Sequence, residues 1–106
     1  MAIVITSENF EKEIKNSDKP VILDVYATWC GPCQYMTPVF EELSKEMGEK
    51  YKFAKLNIDE ERDIAVQYNV SSVPTFIFIK NNEVVGREMG FMEKDTLKKK
   101  IEEILG

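Results

Sequence analysis

Histidine is absent from the 106 residues, which removes any Cys-His dyad, Ser-His-Asp triad or imidazole relay from the chemistry open to this chain. A proton acceptor here has to be a carboxylate, a lysine or water. Cysteine is scarce, occurring only at Cys30 and Cys33. Zinc sites usually draw on about four Cys or His ligands, so two thiols without histidine leave only an intermolecular site or one completed by carboxylates. A clustered excess of Lys and Arg is missing too. The formal net charge of -5 argues against phosphate-backbone binding, and Lys98, Lys99 and Lys100 read as the solvated face of a helix shared with Glu102 and Glu103. No run approaches the ~20 apolar residues that span a bilayer, and MAIVITSENF lacks the basic stretch and long apolar segment of a secretory signal. The expectation is a cytoplasmic protein that binds neither nucleic acid nor membrane, in a compartment that keeps thiols reduced.

What is present is globular in kind. With 43% hydrophobic and 31% charged residues, the chain has material for a core, and its length suits one compact domain over residues 1–106, with a monomer as the default. Ala2 to Thr6 reads as a short strand, and Ser7 as the cap of a helix with Phe10 and Ile14 on one face. Val21 to Ala27 is a dense β-prone run of the kind found in a central strand covered on both faces, with one residue out of place, Asp24. From Cys33 onward, Met36, Phe40, Leu43 and Met47 mark one face of a helix that continues past Pro38 with a kink and stops at Gly48. Tyr51 to Ile58 reads as a second core strand, Asp59 as the cap of a short helix with Ile64, Ala65 and Tyr68, and Asn69 as its left-handed end. Thr75 to Ile79 and Glu83 to Met89 are joined by so short a connection that they form an antiparallel hairpin, and Leu97, Ile101, Ile104 and Leu105 line a last helix. The order β, α, β, α, β, α, β, β, α predicts a mixed α/β sheet, parallel in its first part, with helices on both faces.

Trp29-Cys30-Gly31-Pro32-Cys33 follows the buried strand and opens a helix, a setting that turns a two-cysteine spacing into a redox signal. The unpaired N–H groups and dipole of a helix start favour a thiolate at Cys30 by about 0.3–2 kcal/mol, and only the thiolate attacks disulfides. Gly31 permits a tight turn, and Pro32 presets a helical dihedral where its missing N–H costs least. Cys30, at the exposed end, is expected to attack; Cys33, one turn inside, to resolve. Sharing one loop makes the second step intramolecular. Other readings stand beside this one. A purely structural disulfide in so small a loop gains about 2 kcal/mol and is opposed by a reducing compartment. Two inert buried thiols fit poorly with Gly-Pro between them and Trp29 beside them. Asp24 adds an independent signal, because an acid in an apolar strand costs energy unless partnered, and desolvation raises its pKa toward a general-base range.

Asp24, Trp29 to Cys33, Pro38, Lys55, Pro74 and Gly90 stand at separations that resemble the thioredoxin family over almost the whole chain. The Gly-Pro pair is similar to that of its disulfide-reducing members, whereas protein disulfide isomerases carry His in this loop. The resemblance implies the thioredoxin fold, a five-stranded mixed sheet flanked by four helices with the cysteine loop at the end of the central strand. It implies reduction of disulfide-containing protein substrates without a cofactor or a metal, and a thioredoxin reductase or equivalent donor. It also places Asp24 beneath Cys33, with Lys55 nearby, to help its deprotonation; an acid merely satisfied by Lys55 or a buried water is the alternative. Val73-Pro74-Thr75 resembles the family's cis-proline turn, which faces the disulfide, keeps metal from the thiols and offers Val73 backbone to an extended substrate. Trp29, Pro74, Gly90 and Phe91 then form an apolar rim for partners, with Gly31 and Pro32 among the substrate-contacting positions; Phe91 has a plain core position as its other reading. Tyr26 and Gln34 depart from the commonest bacterial pattern, which has Trp and Lys there, and this bears on rate and partner choice. Two further alternatives are a binding subunit whose partner uses the rim rather than the thiols, and an oxidant or isomerase.

Overall fold

The computed structural model describes residues 1–106. Its strands are β1 (Ile3–Val4), β2 (Val21–Tyr26), β3 (Lys52–Asn57), β4 (Thr75–Lys80) and β5 (Glu83–Met89). They form one five-stranded sheet in the order β1-β3-β2-β4-β5. β1, β3 and β2 run parallel, and β4 and β5 are antiparallel additions. The expected mixed α/β sheet is therefore present, with the β-rich segment Val21–Tyr26 at its centre. Helices α1 (Gly31–Met47), α2 (Arg62–Gln67) and α3 (Lys94–Leu105) and a π turn at Glu11–Lys15 cover it.

Alternation along β2 divides the core. Val21, Leu23 and Val25 pack with Phe10, Ile14, Ile64 and Ala65 on the face covered by the π turn and α2. Ile22 packs with Met36, Phe40, Leu43, Leu97 and Ile101 on the face covered by α1 and α3. Because side chains two apart share a face, Asp24 points with Ile22 toward α1, the helix that carries the cysteines. The periodic positions expected for α1 and α3 are the ones that pack here, with Met47 and Ile104 only partly buried at the edge.

The ends of elements differ from expectation. Ser7 caps nothing; the Thr6 hydroxyl accepts the Glu8 N–H at 3.2 Å, and the Asn9 side-chain oxygen accepts the Thr6 N–H at 2.8 Å. The first helix is a π turn closed by the Asn16 N–H on Glu11 O at 2.9 Å. α2 starts at Arg62, and its approach is held by Asn57 Oδ1, which accepts the N–H groups of Asp59 and Glu60. Gly48 ends α1 as expected, though in a right-handed conformation, with its carbonyl taken by Lys19 Nζ at 3.0 Å. Asn69 does adopt the left-handed conformation, φ 58. On β5, a Cβ at Gly86 would lie 2.9 Å from Ile104 Cγ2, so the missing side chain is what lets α3 sit this close.

Candidate redox site

β2 ends at Tyr26, and α1 begins at Gly31, so the intervening turn delivers Cys30 to the N-cap of α1 in an extended conformation, φ -91, ψ 115. Pro32 follows inside the first turn. Cys30 and Cys33 are joined as a disulfide with their Cα atoms 5.3 Å apart. The Cys33 N–H donates to Cys30 Sγ at 3.2 Å. A helix N-terminus leaves such N–H groups unpaired within the helix, and here one of them is aimed at sulfur.

The expectation that Cys30 occupies an exposed end is corrected: Cys30 and Cys33 are 5% and 4% exposed. Both sulfur-bearing residues pack against Ala27, with Tyr26, Ile58 and Val73 closing over them, so exposure does not separate attacker from resolver. The two sulfurs do differ in their backbone contacts, because the Cys33 N–H points at Cys30 Sγ.

Asp24 is 5% exposed, and its Oδ1 has no hydrogen-bond partner. Burial pushes its carboxyl up from 3.8 to about 7, opposed by the charge of Lys55. Lys55 is its register partner across the parallel pair β2–β3, yet Lys55 Nζ turns to Glu41 Oε2 at 3.4 Å. The reading in which Lys55 satisfies Asp24 through a hydrogen bond is thereby overturned. Asp24, Tyr26, Thr37, Phe40, Glu41 and Lys55 enclose a cavity of about 20 Å³. Thr37 Oγ1 donates to Cys33 O at 3.2 Å, which sets the Asp24 cavity one helical turn along α1 from Cys33.

The Val73–Pro74 bond is cis. Val73 packs on the cysteine cluster, and its own N–H and C=O have no backbone partner. Pro74 is buried and contributes a carbonyl, which accepts the Gly90 N–H at 2.9 Å, rather than a side chain to the rim. Gly90 has φ 91, a conformation that favours glycine. Phe91 is 44% exposed, so its core reading is overturned. Trp29 is 70% exposed, and its Nε1 donates to Asp59 Oδ2 at 2.8 Å. A groove of about 230 Å³ runs between Trp29, α2 and Val73. Gly90 and Phe91 do not line it; Gly31 and Pro32 lie exposed at the start of α1.

Three residues of this region escape a reading of the sequence. Asp59, expected to cap a helix, anchors the indole of Trp29 instead, and no sequence signal separates these uses of an aspartate. Thr37 and Glu41 follow Cys33 at steps of four, and that spacing places them on the Cys33 side of α1.

The thioredoxin family model matches residues 1–103. A thioredoxin of Chlorobaculum thiosulfatiphilum is 45% identical over 101 residues, covering 95% of this chain and 94% of that protein. One of Rickettsia felis is 42% identical over 97 residues, 92% of each chain. One of Haemophilus influenzae is 41% identical over 93 residues, 88% of this chain and 87% of that protein. With a disulfide at the start of a helix, a buried acid beneath that helix and this breadth of likeness, the chain belongs to the thioredoxin family and is a thiol-disulfide oxidoreductase.

Proposed function

We propose that the reduced chain acts on protein disulfides with Cys30 as nucleophile, Cys33 as resolving thiol and Asp24 as proton acceptor. The Cys30 thiolate attacks one sulfur of a substrate disulfide, forms a mixed disulfide and expels the other sulfur as a thiolate, which takes a proton from water. The Cys33 thiol then gives its proton to Asp24, and its sulfur attacks Cys30. This breaks the mixed disulfide, releases the second substrate thiolate and leaves Cys30 and Cys33 oxidised. The substrate has gained two electrons, and a thioredoxin reductase or equivalent donor returns them to the chain.

The observation that carries this assignment is the Cys33 N–H donated to Cys30 Sγ at 3.2 Å, because a backbone donor at a helix start stabilises negative charge on that sulfur. A carboxyl held near neutrality suits Asp24 to accept a thiol proton. The unpaired backbone of Val73 suits strand-like pairing with an extended substrate segment, beside the exposed Trp29 and Phe91. The same reading has the chain working as a monomer, one domain over residues 1–106, in a reducing cytoplasm. Cys33→Ser leaves the nucleophile and removes the resolver, so this variant is expected to accumulate a mixed disulfide with a protein substrate, seen as a higher-mass band that a reductant dissolves. Turnover equal to that of the unaltered protein would overturn the assigned roles.

A further inference from the structure

Lys55 is the cation nearest Asp24 in register, and it is engaged elsewhere. Its Nζ sits 3.4 Å from Glu41 Oε2 and 5.9 Å from the centre of the Tyr26 ring. Glu41 is itself held at two points, since its Oε1 accepts the Ala2 N–H at 3.0 Å. β1's approach therefore fixes Glu41, and Glu41 fixes the ammonium. Asp24 Oδ1 is left without a donor although a flexible cation lines the same small cavity.

We infer that Glu41 is a positioning residue for the proton acceptor: by holding Lys55 Nζ at the rim of the cavity, it keeps that ammonium from pairing with the Asp24 carboxyl. The inference rests on the reading of Asp24 as the acceptor for the Cys33 proton. A carboxylate ion-paired with lysine is a poor acceptor, because the pairing stabilises its charged form at the expense of the protonated one. Among the groups that line the cavity at Asp24, β3 supplies Lys55, α1 supplies Thr37 and Glu41, and β2 supplies Tyr26, while Cys33 lies one turn along α1 from Thr37. The register partner from β4 is the uncharged Phe76. Glu41 thus acts at a distance from the reacting sulfur, through one lysine.

Glu41→Gln tests this in the full chain, since glutamine keeps an oxygen for the Ala2 N–H and loses the charge that holds Lys55. The carboxyl carbon of Asp24 is followed by NMR titration in the oxidised protein, where neither cysteine titrates. Release of the ammonium is expected to lower the Asp24 midpoint by about one pH unit or more. In a Lys55→Gln background, the same Glu41→Gln change is expected to move it far less, because the intermediary is gone. An unmoved midpoint in Glu41→Gln, including one accompanied by lowered thermal stability, overturns the inference. A shift of equal size in both backgrounds also overturns it, since Glu41 would then act by its own charge. The pH profile of mixed-disulfide resolution is recorded alongside. If the midpoint moves and that profile stays, the positioning role of Glu41 stands, and it is Asp24 as proton acceptor that fails.

Discussion

Asp24 carries a cost that its neighbours leave in place. Its pKa in the fold, about 7 against an ordinary 3.8, means that between those values the folded chain binds a proton the unfolded chain has released. Stability from this group is fully present below the unfolded value and is lost as pH rises through the folded one, by about 4 kcal/mol in the limit. Asp24→Asn removes the titration. Denaturant unfolding is expected to show the variant gaining on the unaltered protein by about 3 kcal/mol between about pH 5 and about pH 8.5. A stability difference that does not change with pH would place the charge elsewhere. The acid was legible as an anomaly in VILDVYA, since nothing else in that run is polar enough to need a partner. That its cation is turned away to Glu41 was not legible, because strand register and side-chain competition lie outside any local pattern.

At the scale of elements, periodicity is a good guide to faces and a poor one to ends. The cysteine helix and the last helix bury the residues their spacing predicts, because each has one apolar stripe and one sheet face to place it on. Caps depend on which side chain wins a donor. Asp59 goes to Trp29, so Asn57 takes the N–H groups before α2. The β4–β5 hairpin turns on Asn81 and Asn82, φ 53 and 63, a pair of left-handed residues that matches the twist of the strands. Asparagine tolerates that conformation, whereas alanine is strained in it. Asn82→Ala is therefore expected to lower unfolding stability by about 1 kcal/mol, while Asn82→Gly leaves it unchanged or higher. Equal losses from both would assign the cost to the asparagine side chain instead.

For the molecule as a whole, the disulfide is a small part of stability and a large part of function. It closes a loop of sequence separation 3, for which the chain-entropy account gives about 2 kcal/mol, little beside the two layers of core on either side of the sheet. Oxidised protein is expected to unfold at higher denaturant than reduced protein by that amount, with the same slope, because the surface exposed on unfolding hardly changes. A loss of cooperative unfolding on reduction would instead make the bond a structural staple. On that expectation the fold keeps its form while the pair changes state, as a carrier of electrons requires.

Local pattern was enough to decide the order of elements, the mixed sheet and the redox pair, because these follow from hydrophobic period, turn residues and a Cys-Gly-Pro-Cys turn set against a helix start. Packing alone decided which cysteine receives a backbone hydrogen bond, that both are equally buried, that Pro74 is covered while Phe91 is open, and that Asp59 and Glu41 serve Trp29 and Lys55. Each of those outcomes depends on residues far apart in the chain competing for the same donor or the same space, and that competition is resolved only when the sheet closes.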